Sequence, residues 1–127
     1  MPLYGTPTLT IISAALDAAD SKPTVRVATT GPITIATALN NGLSLDGMTL
    51  ATGDRVLVKD QATASQNGIY VVADSPARAS DSSTWDGHVD ATVVVKEGTV
   101  NGATHWLCTV AAGGTLGTTS ITYTAIS

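Results

Sequence analysis

The side chains best equipped for chemistry cluster in the second half of the chain. Asp86-Gly87-His88-Val89-Asp90 offers two carboxylates flanking an imidazole, and His105 follows 17 residues after His88. Such a run could supply oxygen and nitrogen ligands to a metal. It lacks the staggered carboxylates and terminal Glu of a calcium loop, and a zinc site needs more ligands than can be assembled around it. A polar turn is the preferred reading, with no metal ligand assigned. Cys108, the single cysteine, lies in the apolar run Trp106-Leu107-Cys108-Thr109-Val110. No basic residue stands beside it to favour a thiolate, so it reads as a buried structural thiol.

No serine sits in a Gly-x-Ser-x-Gly setting, and no glycine loop ends in the lysine of a phosphate-binding motif. Ten carboxylates allow many pairings, none singled out by spacing. We therefore expect no catalytic residues and no cofactor. Two other kinds of chemistry stay open. Arg55 and Lys59 share parity with Leu57 on a strand, opposite Val56 and Val58, so they are candidate polar contacts to an acidic residue of a neighbouring strand or subunit. Trp85, in a polar turn, could stack on a sugar ring, whereas Trp106, inside an apolar strand, reads as core.

Strands must position these groups. Twelve Val, seven Ile and twenty-one Thr make the chain rich in β-branched residues, which pack well on a pleated surface. Gly53-Asp54-Arg55-Val56-Leu57-Val58-Lys59-Asp60-Gln61 and Gln66-Asn67-Gly68-Ile69-Tyr70-Val71-Val72 alternate at period two and predict a hairpin whose loop ends in Asn-Gly. Strands are also expected over 24–28, 33–35, 43–45, 48–50, 91–96, 103–110 and 118–126. Asp46-Gly47 should form a two-residue hairpin turn, and 74–83 a loop in which Ala77-Arg78-Ala79 pairs briefly. About eight short strands with regular turns predict an all-β fold, a small antiparallel sandwich or partly open barrel.

Residues 1–23 differ. Pro2, Gly5 and Pro7 break regular structure. Leu9, Ile12, Ala15, Leu16 and Ala19 then share one helical face, with Thr8 or Thr10 as N-cap and Pro23 beyond the end. A short helix is the first choice, and an edge strand over Leu9–Ile12 the alternative. Either way Leu9, Ile12 and Leu16 are candidate contacts to a neighbouring subunit, giving an arm (1–23) and a β-module (24–127).

The chain has 127 residues, enough for one domain, and no Phe, so its core is built from smaller apolar side chains. A formal charge of −4 argues against a nucleic-acid partner, which needs a basic footprint. Only 13% of residues are charged, low for a free-standing monomer and suited to a subunit packed in an assembly. No stretch has transmembrane length, and the start lacks the positive region of a signal peptide, so neither a membrane nor general secretory export is expected.

Several of these motifs recur together elsewhere. Val25-Arg26-Val27-Ala28-Thr29-Thr30, Leu45-Asp46-Gly47, the two halves of the central hairpin, Arg78-Ala79, Thr84-Trp85, Val93-Val94-Val95-Lys96-Glu97-Gly98, Trp106-Leu107-Cys108 and Leu116-Gly117-Thr118-Thr119 resemble a β-module of tailed-bacteriophage virion proteins. The resemblance covers roughly 24–127, in order and at similar spacing. It implies a structural module of tail fibres and other appendages, located in the virion, with no catalytic residues to transfer. The sequence stops where the module stops, and an apolar arm precedes it. This looks like a capsid decoration (cement) protein that binds the major capsid protein or other virion subunits. A trimer is the oligomer the resemblance implies. The alternative is a tail fibre or adaptor module, with Trp85 as its carbohydrate contact.

Overall fold

The computed structural model describes residues 20–126. Leu9, Ile12 and Leu16, and with them the choice between helix and strand for the arm, lie outside the described residues.

The described chain is all-β with one short helix. Ten strands run in order: β1 (Asp20–Ser21), β2 (Val27–Ala28), β3 (Ser44–Leu45), β4 (Met48–Thr49), β5 (Arg55–Val58), β6 (Gly68–Val71), β7 (Ala77–Arg78), β8 (Ala91–Val95), β9 (Thr104–Cys108) and β10 (Tyr123–Ile126). They build a sheet of order β1-β8-β9-β10, a second of order β2-β5-β6-β7, and the separate hairpin β3-β4. The central hairpin forms as its alternation predicts, with Val56 opposite Tyr70 and Leu57 opposite Ile69.

The sheets are mixed rather than antiparallel throughout. β1 runs parallel to β8, and β2 runs parallel to β5. The cause lies in the segment 20–29, which serves both sheets in turn. Asp20 and Lys22 donate backbone bonds to Asp90 and Thr92 beside β8; Val25 then bridges to Val95, while Arg26 and Thr29 donate to Arg55 and Leu57 of β5. Pro23, which has no N–H, falls where one pairing gives way to the other. The first pairing therefore precedes Pro23, so 20–23 belong to the sheets rather than to the arm.

Two further expectations change. The run Ile33-Thr34-Ile35 leads into a one-turn helix, α1 (Ile35–Ala38), instead of a strand. The last strand begins at Tyr123, because 115–119 forms a hydrogen-bonded turn. The Asp46-Gly47 turn is as expected: both residues have positive φ (47° and 79°), as a tight two-residue hairpin requires.

Side-chain parity sorts the cores. Leu57 and Ile69 face the other sheet and pack with Val25, Ala28, Val93 and Val95, with Trp106 and Tyr123 alongside. Val56, Val58 and Tyr70 face the other way and are covered by Leu39, Leu50 and the partly buried Ile33, Ile35, Leu45 and Met48. A third cluster joins Trp85, Ala91, Cys108 and Ile121. The two four-stranded sheets form a sandwich, and β5 is buried on both faces.

Candidate functional site

The densest polar constellation lies where the central hairpin meets β7 and the turns after it. Arg78 is its hub. Its guanidinium donates to Asn67 O (2.9 Å) and Ser65 O (2.9 Å), and its carbon lies 5.2 Å from the Tyr70 ring centroid. His88 packs beside it with Nε2 3.4 Å from Arg78 Nη1 and 2.9 Å from Ser82 Oγ. His88 Nδ1 lies 2.8 Å from Thr84 O. A carbonyl can only accept, so Nδ1 carries the proton and Nε2 is the acceptor. Ser82 then donates to Nε2 while its oxygen accepts the Ile69 N–H at 3.0 Å.

Backbone geometry makes room for this knot. Gly68 has φ +148°, and a Cβ there would strike Arg78, His88 and Ser82. Glycine is needed both for the dihedral and for the approach. Asn67 precedes it with its amide fully used: Oδ1 accepts Gln61 N–H (3.0 Å) and Nδ2 donates to Ile121 O (2.9 Å), tying the loop to the other sheet.

A serine hydroxyl bonded to an oriented imidazole is the geometry of an activated nucleophile. Here burial decides against that use. Ser82 is 2% exposed and His88 1%, and both lone-pair and proton positions of the hydroxyl are occupied by His88 and Ile69. No face of Ser82 Oγ is open to an attacked carbon. Burial also pushes the His88 pKa down, helped by Arg78 and Lys22 and opposed by the Thr84 bond. The imidazole is a neutral structural acceptor.

The sequence singled out His88 but missed its partners. Arg78 and Ser82 sit in a polar stretch that reads as loop, and nothing local marks them. Asp86 falls in the one-turn helix Asp86–His88 and Asp90 has φ 58° before β8. Among the described residues no group of three or more His, Cys, Asp or Glu side chains could hold a metal.

Arg55 lies at the end of the inter-sheet face. It makes a bidentate pair with Asp81 (3.1 and 2.9 Å) and also donates to Thr24 O and Pro23 O. Of the two partners the parity reading left open, an acid of its own chain is therefore present. Lys59, at the other end of that face, pairs with Asp60 (3.1 Å) and stands 4.4 Å over the Trp106 ring, its side chain only 9% exposed. Arg26, which drew no attention in the sequence, bridges Asp54 (2.8 Å) and Glu97 (3.2 Å) across the two sheets.

Trp85 is 8% exposed, packed in the third cluster with its Nε1 donating to Ala111 O at 2.9 Å. One part of its ring lies so close to Gly114 that a Cβ there would overlap it. A shallow depression beside it is lined by Thr109, Thr119, Ser120 and Thr122. The indole presents an edge rather than the open face that stacking on a sugar requires. Trp106 joins the inter-sheet core, with Nε1 bonded to Thr104 Oγ1 (2.8 Å).

Cys108 is 1% exposed, and burial pushes its thiol up to about 11. Tyr123, its cross-strand neighbour, is also raised by burial and by the thiol. Neither is a nucleophile near neutral pH. Comparison with protein-family models, curated proteins and solved structures finds no match to this chain.

Proposed function

We propose that this chain is a structural subunit of a tailed-phage virion, decorating and cementing the capsid shell through contacts with the major capsid protein. The reading comes from the ordered set of motifs across 24–127. One structural observation supports it: the reactive side chains of the described region are committed to internal bracing. His88, Ser82, Arg78, Arg55 and Lys59 each bond within the chain, and Cys108 and Trp85 are buried. A rigid body braced in this way suits load transfer between subunits. A subunit that binds only the assembled shell stabilises it by mass action.

Particles stripped of the protein should lose resistance to heat and osmotic shock, and regain it when purified protein is added back. Unchanged resistance after stripping would sink the cementing role. The second reading, a tail fibre or adaptor module that contacts carbohydrate, makes a different prediction for stoichiometry. Quantitative mass spectrometry of intact particles should return hundreds of copies for shell decoration, and a few for a tail part.

A further inference from the structure

Sheet edges are where a β-protein meets other chains, because the outer backbone N–H and C=O groups of an edge strand lack a ladder partner. Three of the four edges in the two large sheets are two-residue strands, β1, β2 and β7. The fourth, β10, has four residues, Tyr123-Thr124-Ala125-Ile126, and pairs on one side only, with β9, among the described residues. It carries none of the usual protections: no charge, no proline, no bulge. A groove at its end is lined by Ala103, Thr104, His105, Ala125 and Ile126.

At the opposite edge of the same sheet, β1 leads back into the first 19 residues. Within them, Thr8-Leu9-Thr10-Ile11-Ile12-Ser13 is uncharged, proline-free and dominated by β-branched residues, the composition of a strand. We propose that residues 8–13 of a second copy of this chain add as a fifth strand to the β10 edge, with apolar side chains entering the groove beside Ile126.

Geometry favours a second copy over the same chain. Six residues, Ala14 to Ala19, separate this segment from β1 and reach about 20 Å when extended. Three inter-strand gaps, about 14 Å in all, lie between β1 and β10. The inner face of the sheet is filled by the sandwich core. A same-chain return would therefore cross the outer face, where Val94 stands 38% exposed and Thr124 is exposed. Donation to the next copy needs no such crossing. Because donor and acceptor are opposite edges, the contact is head-to-tail, and repeating it around an axis closes a ring.

Single-cysteine variants test the contact in purified full-length protein, independently of any particle. Five donors, each with one of Thr8 to Ile12 changed to Cys, are separately mixed with a differently tagged Thr124→Cys chain. Each pair is unfolded together, refolded and oxidised; Cys108, 1% exposed, stays out of the exchange. At least one donor position should give a disulfide-linked dimer carrying both tags. Three outcomes overturn the proposal. One is no mixed dimer from any donor. Another is a dimer from Thr124→Cys alone, which would mean that two β10 edges pair with each other. The last is only intramolecular cross-links in chains carrying both cysteines.

Discussion

At the scale of single residues, the informative groups are those whose protonation the fold opposes. His88 is held neutral by burial and by the donors that face it: Ser82 from its turn and the Arg78 cation from β7, with Lys22 adding repulsion. Its folded pKa lies below the ordinary 6.5, so on acidification the unfolded chain takes up the proton first. Stability is complete above about pH 6.5 and falls as pH drops below it, by at most about 1.4 kcal/mol per pH unit for one group. Urea unfolding between pH 7.5 and 5.5 should show that loss. His88→Gln, which cannot charge, should be less stable at pH 7.5 but flat across the same interval. Cys108 gives the opposite sign. Its pKa rises from 9.0 to about 11, so the unfolded chain loses its proton first, and stability falls as pH climbs through that window. Native protein at pH 8 should resist thiol reagents until denaturant is added. The sequence marked both residues because His and Cys are conspicuous types. It could not show Ser82 or Arg78, since a bond between a strand and a turn several residues away leaves no periodic trace.

Turns and short strands were legible where local dihedral demands dominate. Asp46-Gly47 is such a case, because two consecutive positive φ values select the residue types directly. What the dipeptide did not reveal is its second task. The Asp46 carboxylate accepts the N–H groups of Val100 (2.9 Å) and Asn101 (2.8 Å), and its carbonyl accepts that of Thr99 (2.9 Å). The hairpin thus holds the 97–102 loop, which presents Val100 at 69% exposure. Asp46→Asn keeps one side-chain acceptor and tolerates positive φ; Asp46→Ala keeps neither advantage. We expect Asp46→Ala to cost about 1–3 kcal/mol and Asp46→Asn clearly less. Thermal melts supply the ranking, and equal losses for the two variants would remove the carboxylate from the explanation. The failure at Ile33–Ile35 has a comparable origin. Three alternating residues fit a strand and a helix entry equally well, and packing of Ile33 and Ile35 against Leu39 and Leu50 decides for α1.

For the whole molecule, the alternating pattern established strands and buried faces but could not establish direction. Period two is the same in parallel and antiparallel ladders, so nothing in Val25-Arg26-Val27-Ala28 declares that it runs parallel to both β8 and β5. That arrangement has a mechanical consequence. Since 20–29 bonds first to one sheet and then to the other, and Arg26 ties Asp54 to Glu97 across them, neither sheet can open alone. The sandwich should unfold as one cooperative unit. Leu57 tests this, because it is fully buried at the shared face while its backbone belongs to β5. Leu57→Ala should cost about 2–5 kcal/mol, whereas Val94→Ala, at a 38% exposed position of β8, should change stability little. Hydrogen exchange then separates two pictures. If the sheets are one unit, Leu57→Ala lowers amide protection at Val93 and Trp106 of the other sheet by the same free energy as at Ile69. If protection falls only within β2-β5-β6-β7, the crossing segment does not couple them, and the rigid body proposed for cementing a shell is two bodies instead.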